Sequence, residues 1–234
     1  MDTTTREHIK NYQPSQDVID LVESTKIVLL CGVTGAGKNT VLDKLLEKDN
    51  FEKIITSTTR APRENDGVME QEGVDYYFFS TEQALENIEN HVYFEVAPVH
   101  EKINGVTADE IRRHHVRQSV AITHVDYQGV DYFKKYSPST IAIFLIPPSY
   151  EVWMERLMKR YDSEDDFRLA WPPRRASAIK ELEWALAHPD LRIIINDELD
   201  TTVQQAEAII HGDEILTGGR AQAQEILSRL QADA

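Results

Sequence analysis

The stretch Gly32-Val33-Thr34-Gly35-Ala36-Gly37-Lys38-Asn39-Thr40 decides the fold. It stands between the apolar run Lys26-Ile27-Val28-Leu29-Leu30-Cys31, which reads as a buried strand, and a segment in which Val41, Leu42, Leu45 and Leu46 recur at helical spacing. A glycine-rich turn in that context is a phosphate cradle. Its glycines permit the φ > 0 geometry that converges backbone N–H groups on an anion, and the following helix N-terminus favours negative charge. Lys38 adds a mobile positive charge for the β- and γ-phosphates of a nucleotide. Asn39 occupies the place where a Ser or Thr hydroxyl ordinarily meets Mg²⁺, and Thr40 comes one residue later. An amide oxygen can approach Mg²⁺ directly or through water, so Asn39 and Thr40 are the candidate metal contacts.

Downstream, Ile54-Ile55-Thr56 reads as a short strand, followed by the polar, proline-broken Ser57-Thr58-Thr59-Arg60-Ala61-Pro62-Arg63. A guanidinium offers planar paired donors to phosphate oxygens, so Arg60 and Arg63 read either as a clamp on a second phosphate or as solvated surface arginines. The Glu64 to Gly73 stretch reads as a loop, and Glu70 to Phe79 ends in an aromatic strand. Ser80-Thr81-Glu82-Gln83 and Thr107-x-x-Glu110 are capping boxes that each open a helix. Strands and short helices this dense between Ile54 and His115 imply a small lobe inserted in a larger domain. After it, strands at Ser119 to Asp126, Thr140 to Ile146 and Leu191 to Ile195 alternate with helical segments, the pattern of a parallel sheet. Asp126, at the end of a strand, reads as a ligand group or as a helix cap.

The chain has 234 residues, 41% of them hydrophobic, and a net charge of −15, which argues against a body that wraps nucleic acid or lies on an anionic membrane. Against that background Arg156, Lys159, Arg160, Arg168, Arg174, Arg175 and Lys180 form a local basic concentration. The acids, Trp171 and the Pro172-Pro173 pair between Tyr161 and Pro173 suggest a loop joining two helices, a basic hairpin that reads as a closing lid or as a solvated helix pair. The single cysteine, Cys31, lies in an apolar strand and reads as a core residue. No histidine, His100 included, falls in a metal-ligand spacing. No charged-then-apolar leader and no apolar run of about 20 residues appears, so the expected compartment is cytoplasmic. Residues 1–12 are unpatterned, Val18 to Val22 are spaced for a short helix, and Ala223, Ile226, Leu227 and Leu230 form a stripe on a C-terminal helix. Such terminal helices suggest a homodimer.

With these residues in place, the chain resembles the guanylate kinase family of nucleoside monophosphate kinases over roughly Lys26 to Ile210. The cradle, Ser57 to Arg63, the Glu-x-x-Gly-x-Asp-Tyr pattern at Glu70 to Tyr76, and Ile194-Ile195-Asn196-Asp197-Glu198-Leu199-Asp200 carry the resemblance in order and approximate spacing. Arg156-Leu157-x-x-Arg160 and Arg174-x-x-x-Ala178-x-x-Glu181-Leu182 are similar to the family's lid segments. The resemblance implies an α/β fold: a P-loop parallel sheet flanked by helices, with an inserted small nucleotide-monophosphate-binding lobe and a helical lid. It implies an extension at 1–25 and a kinase-like domain at 26–211, followed by a linker and helix at 212–234. Within that domain, 26–56, 116–155 and 188–211 form the core, 57–115 the lobe and 156–187 the lid.

The resemblance further implies an enzyme that moves a phosphoryl group from ATP, with Mg²⁺, to a nucleoside monophosphate, first GMP or dGMP. Lys38, Arg160 and Arg174 would be catalytic. Gly32, Thr34, Gly35, Ala36, Gly37, Lys38, Asn39, Thr40 and Asn196 would hold ATP, and Thr56, Arg60, Arg63, Glu70, Tyr76, Glu95 and Asp126 the acceptor. Four departures bear on the acceptor. Asn104 replaces a phosphate-binding tyrosine, Val106 replaces a serine at the base, His124 replaces the first aspartate of a strand-end pair, and extra residues separate Arg63 from Glu70. The alternatives are a noncatalytic phosphopeptide-binding module and a kinase of the same fold with another phosphorylated acceptor.

Overall fold

In the computed structural model, which describes residues 3–65, 67–99, 101–215 and 217–232, the longest apolar runs of the sequence become parallel strands. Asp66 of the expected loop and His100 lie outside the described residues. In chain order the elements begin with α1 (Thr3–Lys10), α2 (Gln16–Glu23), β1 (Ile27–Gly32), α3 (Lys38–Leu46), β2 (Phe51–Lys53), β3 (Ser57–Thr58), β4 (Glu64–Asn65) and β5 (Val68–Met69). There follow β6 (Tyr77–Phe78), α4 (Thr81–Glu89), β7 (Tyr93–Val99), β8 (Lys102–Thr107), α5 (Ala108–Arg117), β9 (Val120–His124) and α6 (Tyr127–Tyr136). The chain ends with β10 (Ile141–Ile146), α7 (Tyr150–Met158), α8 (Glu164–Ala187), β11 (Arg192–Ile195), α9 (Leu199–His211) and α10 (Gly219–Ala232).

The chain divides into two units. The first comprises Met1–Ile27, Asn50–Thr123 and Tyr132–Thr140, and the second Val28–Asp49, His124–Asp131 and Ile141–Ala234. The second carries the P-loop. There β10 lies between β1 and β11, all parallel, with Val28 opposite Ile141 and Phe144 opposite Ile193. Val28 to Cys31 and Ala142 to Ile146 are buried without polar interruption, as strands of a helix-covered parallel sheet require. Val41, Leu42 and Leu45 of α3 add to that core, α9 packs on α3 and β11, and α10 packs on α8, β10 and β11.

In the first unit β2 pairs in parallel with β9, and a four-stranded sheet runs in the order β6-β3-β8-β7. Ile9, Tyr12, Ala84, Ile88, Tyr93, Val96 and Ile103 form its core. Helix α4 starts on the expected capping box: Ser80 Oγ accepts the Gln83 N–H at 3.1 Å and Gln83 Oε1 accepts the Ser80 N–H at 2.8 Å. The division passes through β1 and β9, each with ladder bonds in its own unit. The Ala121 N–H donates to Lys26 O at 2.9 Å in the first, and the Val125 N–H to Leu30 O at 3.0 Å in the second.

Four local expectations change. Residues 3–10, unpatterned in sequence, form α1, because Ile9 and Tyr12 enter the first core and the Tyr12 hydroxyl donates to Tyr93 O at 2.5 Å. The strand expected at Ile54 to Thr56 is displaced: β2 ends at Lys53 and β3 begins at Ser57, with Ile54 and Ile55 buried between them. The expected loop up to Pro173 is largely helix, since α8 runs through Pro172 and Pro173. Each internal proline removes a helix hydrogen bond, at about 3 kcal/mol. Contacts on both sides offset that: Phe167 is buried and stacks on Trp171 at 5.6 Å, Trp171 meets Trp153 edge-on at 5.8 Å, and Ala178, Leu182 and Ala185 are buried beyond.

The fourth change concerns the α10 stripe. Ala223, Ile226, Leu227 and Leu230 are buried within their own chain, so the α10 stripe that suggested a homodimer is already covered. Truncating fully buried Ile226 to Ala should therefore destabilise the protein by about 2–5 kcal/mol. If this core is complete within one chain, its urea midpoint, like that of the unaltered protein, should not move with protein concentration. A midpoint that rises with concentration would return the stripe to an intersubunit role.

Candidate functional site

The cradle joins β1 to α3 in the second unit, and its geometry depends on two glycines. Gly32 has φ 137° and Gly37, the residue before α3, has φ 86°. A Cβ on Gly32 would lie 2.1 Å from Leu145 O, and one on Gly37 would lie 2.3 Å from Asn196 Nδ2. Both positions thus exclude a side chain by backbone angle and by space. Asn196 braces the turn. Its Nδ2 donates to Ala36 O at 2.7 Å, its Oδ1 accepts the Thr202 hydroxyl at 3.0 Å, and its carbonyl accepts Arg156 Nη1 at 2.9 Å. Trp153 Nε1 adds a bond to Thr34 O at 2.7 Å.

Lys38, in the first turn of α3, donates Nζ to Gly32 O at 2.5 Å and Val33 O at 3.2 Å. Burial pushes its pKa down, with Glu181 opposing that and Arg160 reinforcing it. An ammonium so placed gains from any anion that replaces lost hydration. Asn39 and Thr40 are exposed on the same turn. Burial of Cys31 pushes its thiol up, in keeping with a core role. Arg160 is exposed beyond α7, and Arg174 on α8 is exposed with its guanidinium 5.6 Å from the Tyr161 ring centroid. Arg175 instead donates Nε to Leu230 O at 2.9 Å, which separates these neighbouring arginines into a structural one and an exposed one.

Sequence reading gave Glu181 no role. Its Oε1 accepts the Ser177 hydroxyl at 2.9 Å, while Oε2 is buried without a partner among the described residues. Burial raises its pKa, Lys38 opposes the rise, and Asp126 adds to it. Only its Ala-x-x-Glu setting marked it in the sequence. Asp126 does what the helix-cap reading expected: its Oδ1 accepts the Gly129 N–H at 2.8 Å in the first turn of α6.

The first unit gathers the second set. Arg60 pairs bidentately with Glu70, Nη1 to Oε2 at 2.7 Å and Nη2 to Oε1 at 2.9 Å, and lies 5.1 Å from the Tyr76 ring centroid. The Glu70 pairing holds the Arg60 guanidinium above its ordinary pKa. Glu70 Oε2 also accepts the Arg63 N–H at 2.9 Å, so one carboxylate shapes the whole arginine loop while the Arg63 side chain stays exposed. The Thr58 hydroxyl accepts the Arg60 N–H at 3.2 Å and donates to Asn104 Oδ1 at 2.8 Å. Thr56 carries a carbonyl that accepts the Tyr77 N–H at 3.0 Å. Glu95 on β7 stands opposite Val106 on β8, and Val106 is buried. Arg60, Glu70, Arg63 and Tyr76 thus come together in one unit, and Lys38, the cradle and Asn196 in the other. Among the described residues no three His, Cys, Asp or Glu converge as a metal cluster, and no helix is long and apolar enough to cross a membrane.

Known proteins resemble this chain over most of its length. The model of the guanylate kinase family matches residues 24–213. The chain is 31% identical over 186 residues to a guanylate kinase of Rickettsia bellii, covering 79% of this chain and 92% of that one. It is 35% identical over 191 residues to a guanylate kinase of Porphyromonas gingivalis, covering 80% and 96%. The crystal structure of guanylate kinase from Anaplasma phagocytophilum superposes with a TM-score of 0.56 at 26% identity, over 87% of this chain and 94% of that one.

Two outcomes follow from the cradle and its buried acid. Gly37→Ala should lose about 1–3 kcal/mol of stability in urea unfolding, the scale of a left-handed non-glycine residue, before the clash is counted. Adding Asn196→Ala should recover the steric part, so the double variant is more stable than the sum of the single losses. Glu181 binds its proton more tightly when folded than its ordinary 4.5, so native protein holds more protons than unfolded chain just above pH 4.5. Its contribution to stability is therefore present below that pH and lost as pH rises through the folded value. Glu181→Gln should flatten this dependence and gain on the unaltered protein as pH increases, whereas parallel pH profiles would refute the assignment.

Proposed function

The chain belongs to the guanylate kinase family, and from that premise we propose that it transfers the γ-phosphoryl group of ATP to a nucleoside monophosphate, GMP or dGMP before others. The observation that carries the reading is the cradle itself: two side-chain-excluding glycines, a helix N-terminus and the half-buried ammonium of Lys38 on one turn. An acceptor phosphate oxygen forms a bond to the γ-phosphorus as the bond to the bridging oxygen of ADP breaks, and no protein nucleophile takes part. The work is positioning and charge stabilisation.

On this reading the backbone of Gly32 to Gly37 and Lys38 hold the donor phosphates. Asn196 acts at one remove, since its amide groups bond Ala36 and Thr202. Arg60, Arg63 and Tyr76 hold the acceptor phosphate, with Glu70 fixing Arg60, and Thr56, Glu95 and Asp126 serve its nucleoside. Arg160 and Arg174 neutralise the transferring oxygens. Asn39 and Thr40 fit a cation held mainly through nucleotide phosphates, because they are exposed oxygen-bearing side chains on the cradle helix. Mg²⁺ bound there supplies neutralisation of the polyphosphate charge. Residues 57–115 are then the monophosphate lobe, 156–187 the lid, and 26–56, 116–155 and 188–211 the core. The extension at 1–25 precedes this body and the linker and helix at 212–234 follow it, and the enzyme works in the cytosol on small nucleotides, with no nucleic-acid partner.

A binding module for phosphorylated peptides is the second reading, favoured by Asn104 and Val106 in the acceptor lobe. ADP formation from Mg·ATP with GMP, dGMP, AMP, UMP, CMP and IMP, against an acceptor-free control, separates the two. The expected result is selective turnover of GMP or dGMP, falling about 10²–10³-fold or more in Lys38→Ala, the scale of one lost transition-state donor. No turnover with any monophosphate would overturn the kinase reading in favour of the module, and equal rates for Lys38→Ala and the unaltered protein would overturn the catalytic role of Lys38.

A further inference from the structure

Glu110 closes only half of the capping box that its sequence position suggests. Thr107 Oγ1 accepts the Glu110 N–H at 3.3 Å at the start of α5, but the Glu110 carboxylate does not return to the Thr107 backbone. It turns inward, is fully buried, and gathers groups from three segments of the first unit. Oε1 accepts the Ile55 N–H at 2.7 Å and Arg113 Nη2 at 2.7 Å, and lies 3.1 Å from His114 Nε2. Oε2 accepts the Tyr77 hydroxyl at 3.0 Å and Arg113 Nε at 3.1 Å.

We propose that Glu110 is the positioning residue of the acceptor site: by tying Ile55 to Tyr77 it fixes the neighbouring Thr56 and Tyr76, and so sets affinity for the monophosphate without touching it. The proposal deepens the kinase reading and rests on it. Ile55 immediately precedes Thr56, and Tyr77 immediately follows Tyr76. The two segments meet directly through only a short ladder: the Tyr77 N–H donates to Thr56 O at 3.0 Å, and the two-residue strands β3 and β6 pair from Ser57 opposite Tyr77. Strands of two residues give little order by themselves, so a buried carboxylate bonded to both segments carries a large share of it.

The surroundings keep Glu110 in that role. Its burial favours the neutral acid, but hydrogen bonds from His114, Arg113 and the Ile55 N–H outweigh this and lower its pKa to about 2. Arg113 is held in turn by Glu52, Nη1 to Oε2 at 2.8 Å, and by Lys53 O at 3.1 Å. His114 Nδ1 lies 3.1 Å from Ser119 Oγ. Helix α5 is therefore bound to the strand that leads into Ile55, with the carboxylate held by donors from three segments. An acid placed only to fill the core would not need the Tyr77 hydroxyl, which is the group that extends the network toward Tyr76.

The test uses the full chain with Tyr77→Phe, Glu110→Gln and the double variant. Tyr77→Phe removes one hydroxyl and keeps the half-buried ring, so it remains informative even if Glu110→Gln folds poorly. Steady-state kinetics should show KM for GMP raised about tenfold in Tyr77→Phe, the scale of one hydrogen bond to a charged group, with KM for ATP unchanged. The double variant should be no worse than Glu110→Gln alone, because Tyr77 acts through Glu110. Amide exchange should quicken at Ile55 through Arg60 and at Tyr76 through Phe78 in both single variants, and stay unchanged in α3 and α10. Equal changes in both KM values, or a fall in kcat alone, would overturn the positioning role. So would unchanged exchange at Ile55, a readout that needs no substrate. Absence of turnover and of calorimetric GMP binding by the unaltered protein overturns the kinase reading, and is distinguishable because the exchange result stands apart from it.

Discussion

The left-handed backbone at Gly37, with the Asn196 amide where a side chain would otherwise sit, is the constraint on which the second unit depends. A turn whose purpose is to present N–H groups to an anion has few apolar side chains of its own to bury, so it must be held from outside. Asn196 at the end of β11, Trp153 and Arg156 on α7, and Thr202 on α9 do this, and they come from separate parts of the chain. Parallel strands bring them together because they deliver their carboxyl ends to one edge, where loops gather. The phosphate motif is therefore only the visible part of a longer-range arrangement: loosening α7 or α9 loosens the cradle. Lys38 works within the same economy of charge, since its burial is opposed by Glu181 and the peptide carbonyls of Gly32 and Val33.

Anion binding by a chain of net charge −15 requires that positive groups be used selectively. Six arginines divide into two kinds. Arg113, Arg156 and Arg175 are consumed by Glu110 and Glu52, by Asn196 O and by Leu230 O, and serve as cross-braces. Arg63, Arg160 and Arg174 remain exposed and make no side-chain ion pair among the described residues. Arg60 belongs to both kinds, because Glu70 aligns its guanidinium while leaving it beside the Tyr76 ring. Alignment by a carboxylate reduces the rotamer entropy that an arginine would otherwise lose on clamping a phosphate. Surface charge count alone would not have distinguished these roles.

What the sequence made legible was local. The P-loop turn, the apolar strands and the α4 capping box follow from spacing that a few neighbouring residues settle, and they stand in the structure as read. What it hid was decided by distant partners. Helix α1 has too few apolar residues for a period, and only its contact with the first core makes Ile9 and Tyr12 matter. The Pro172-Pro173 pair is a sound stop signal that aromatic packing on either side of it overrides. Thr107-x-x-Glu110 reads as a cap because the motif is local, yet Glu110 finds stronger donors in Ile55, Arg113 and Tyr77. Glu181 carries no local signal for its burial, because a charged residue between Ala178 and Ala185 on a helix reads equally well as solvated.

The departures at Asn104, Val106 and His124 are not equivalent in physical terms. Asn104 stays in a polar network: the Thr58 hydroxyl that accepts the Arg60 N–H donates to its Oδ1, and its amide nitrogen is a hydrogen-bond donor. A donor in that neighbourhood suits a phosphate as a hydroxyl would. Val106 is buried and contributes packing only, and His124 is exposed at the end of β9. A polar site rejects a ligand that leaves its groups unpaired by factors of thousands, whereas an apolar contact discriminates far more weakly. On the kinase reading, the phosphate half of the acceptor site therefore keeps its chemistry, and selection of the base falls mainly on Glu95. Because Glu95 lies on β7 and Arg60 on the loop after β3, with β8 pairing to both strands, the register of β8 would on that reading couple base selection to phosphate grip.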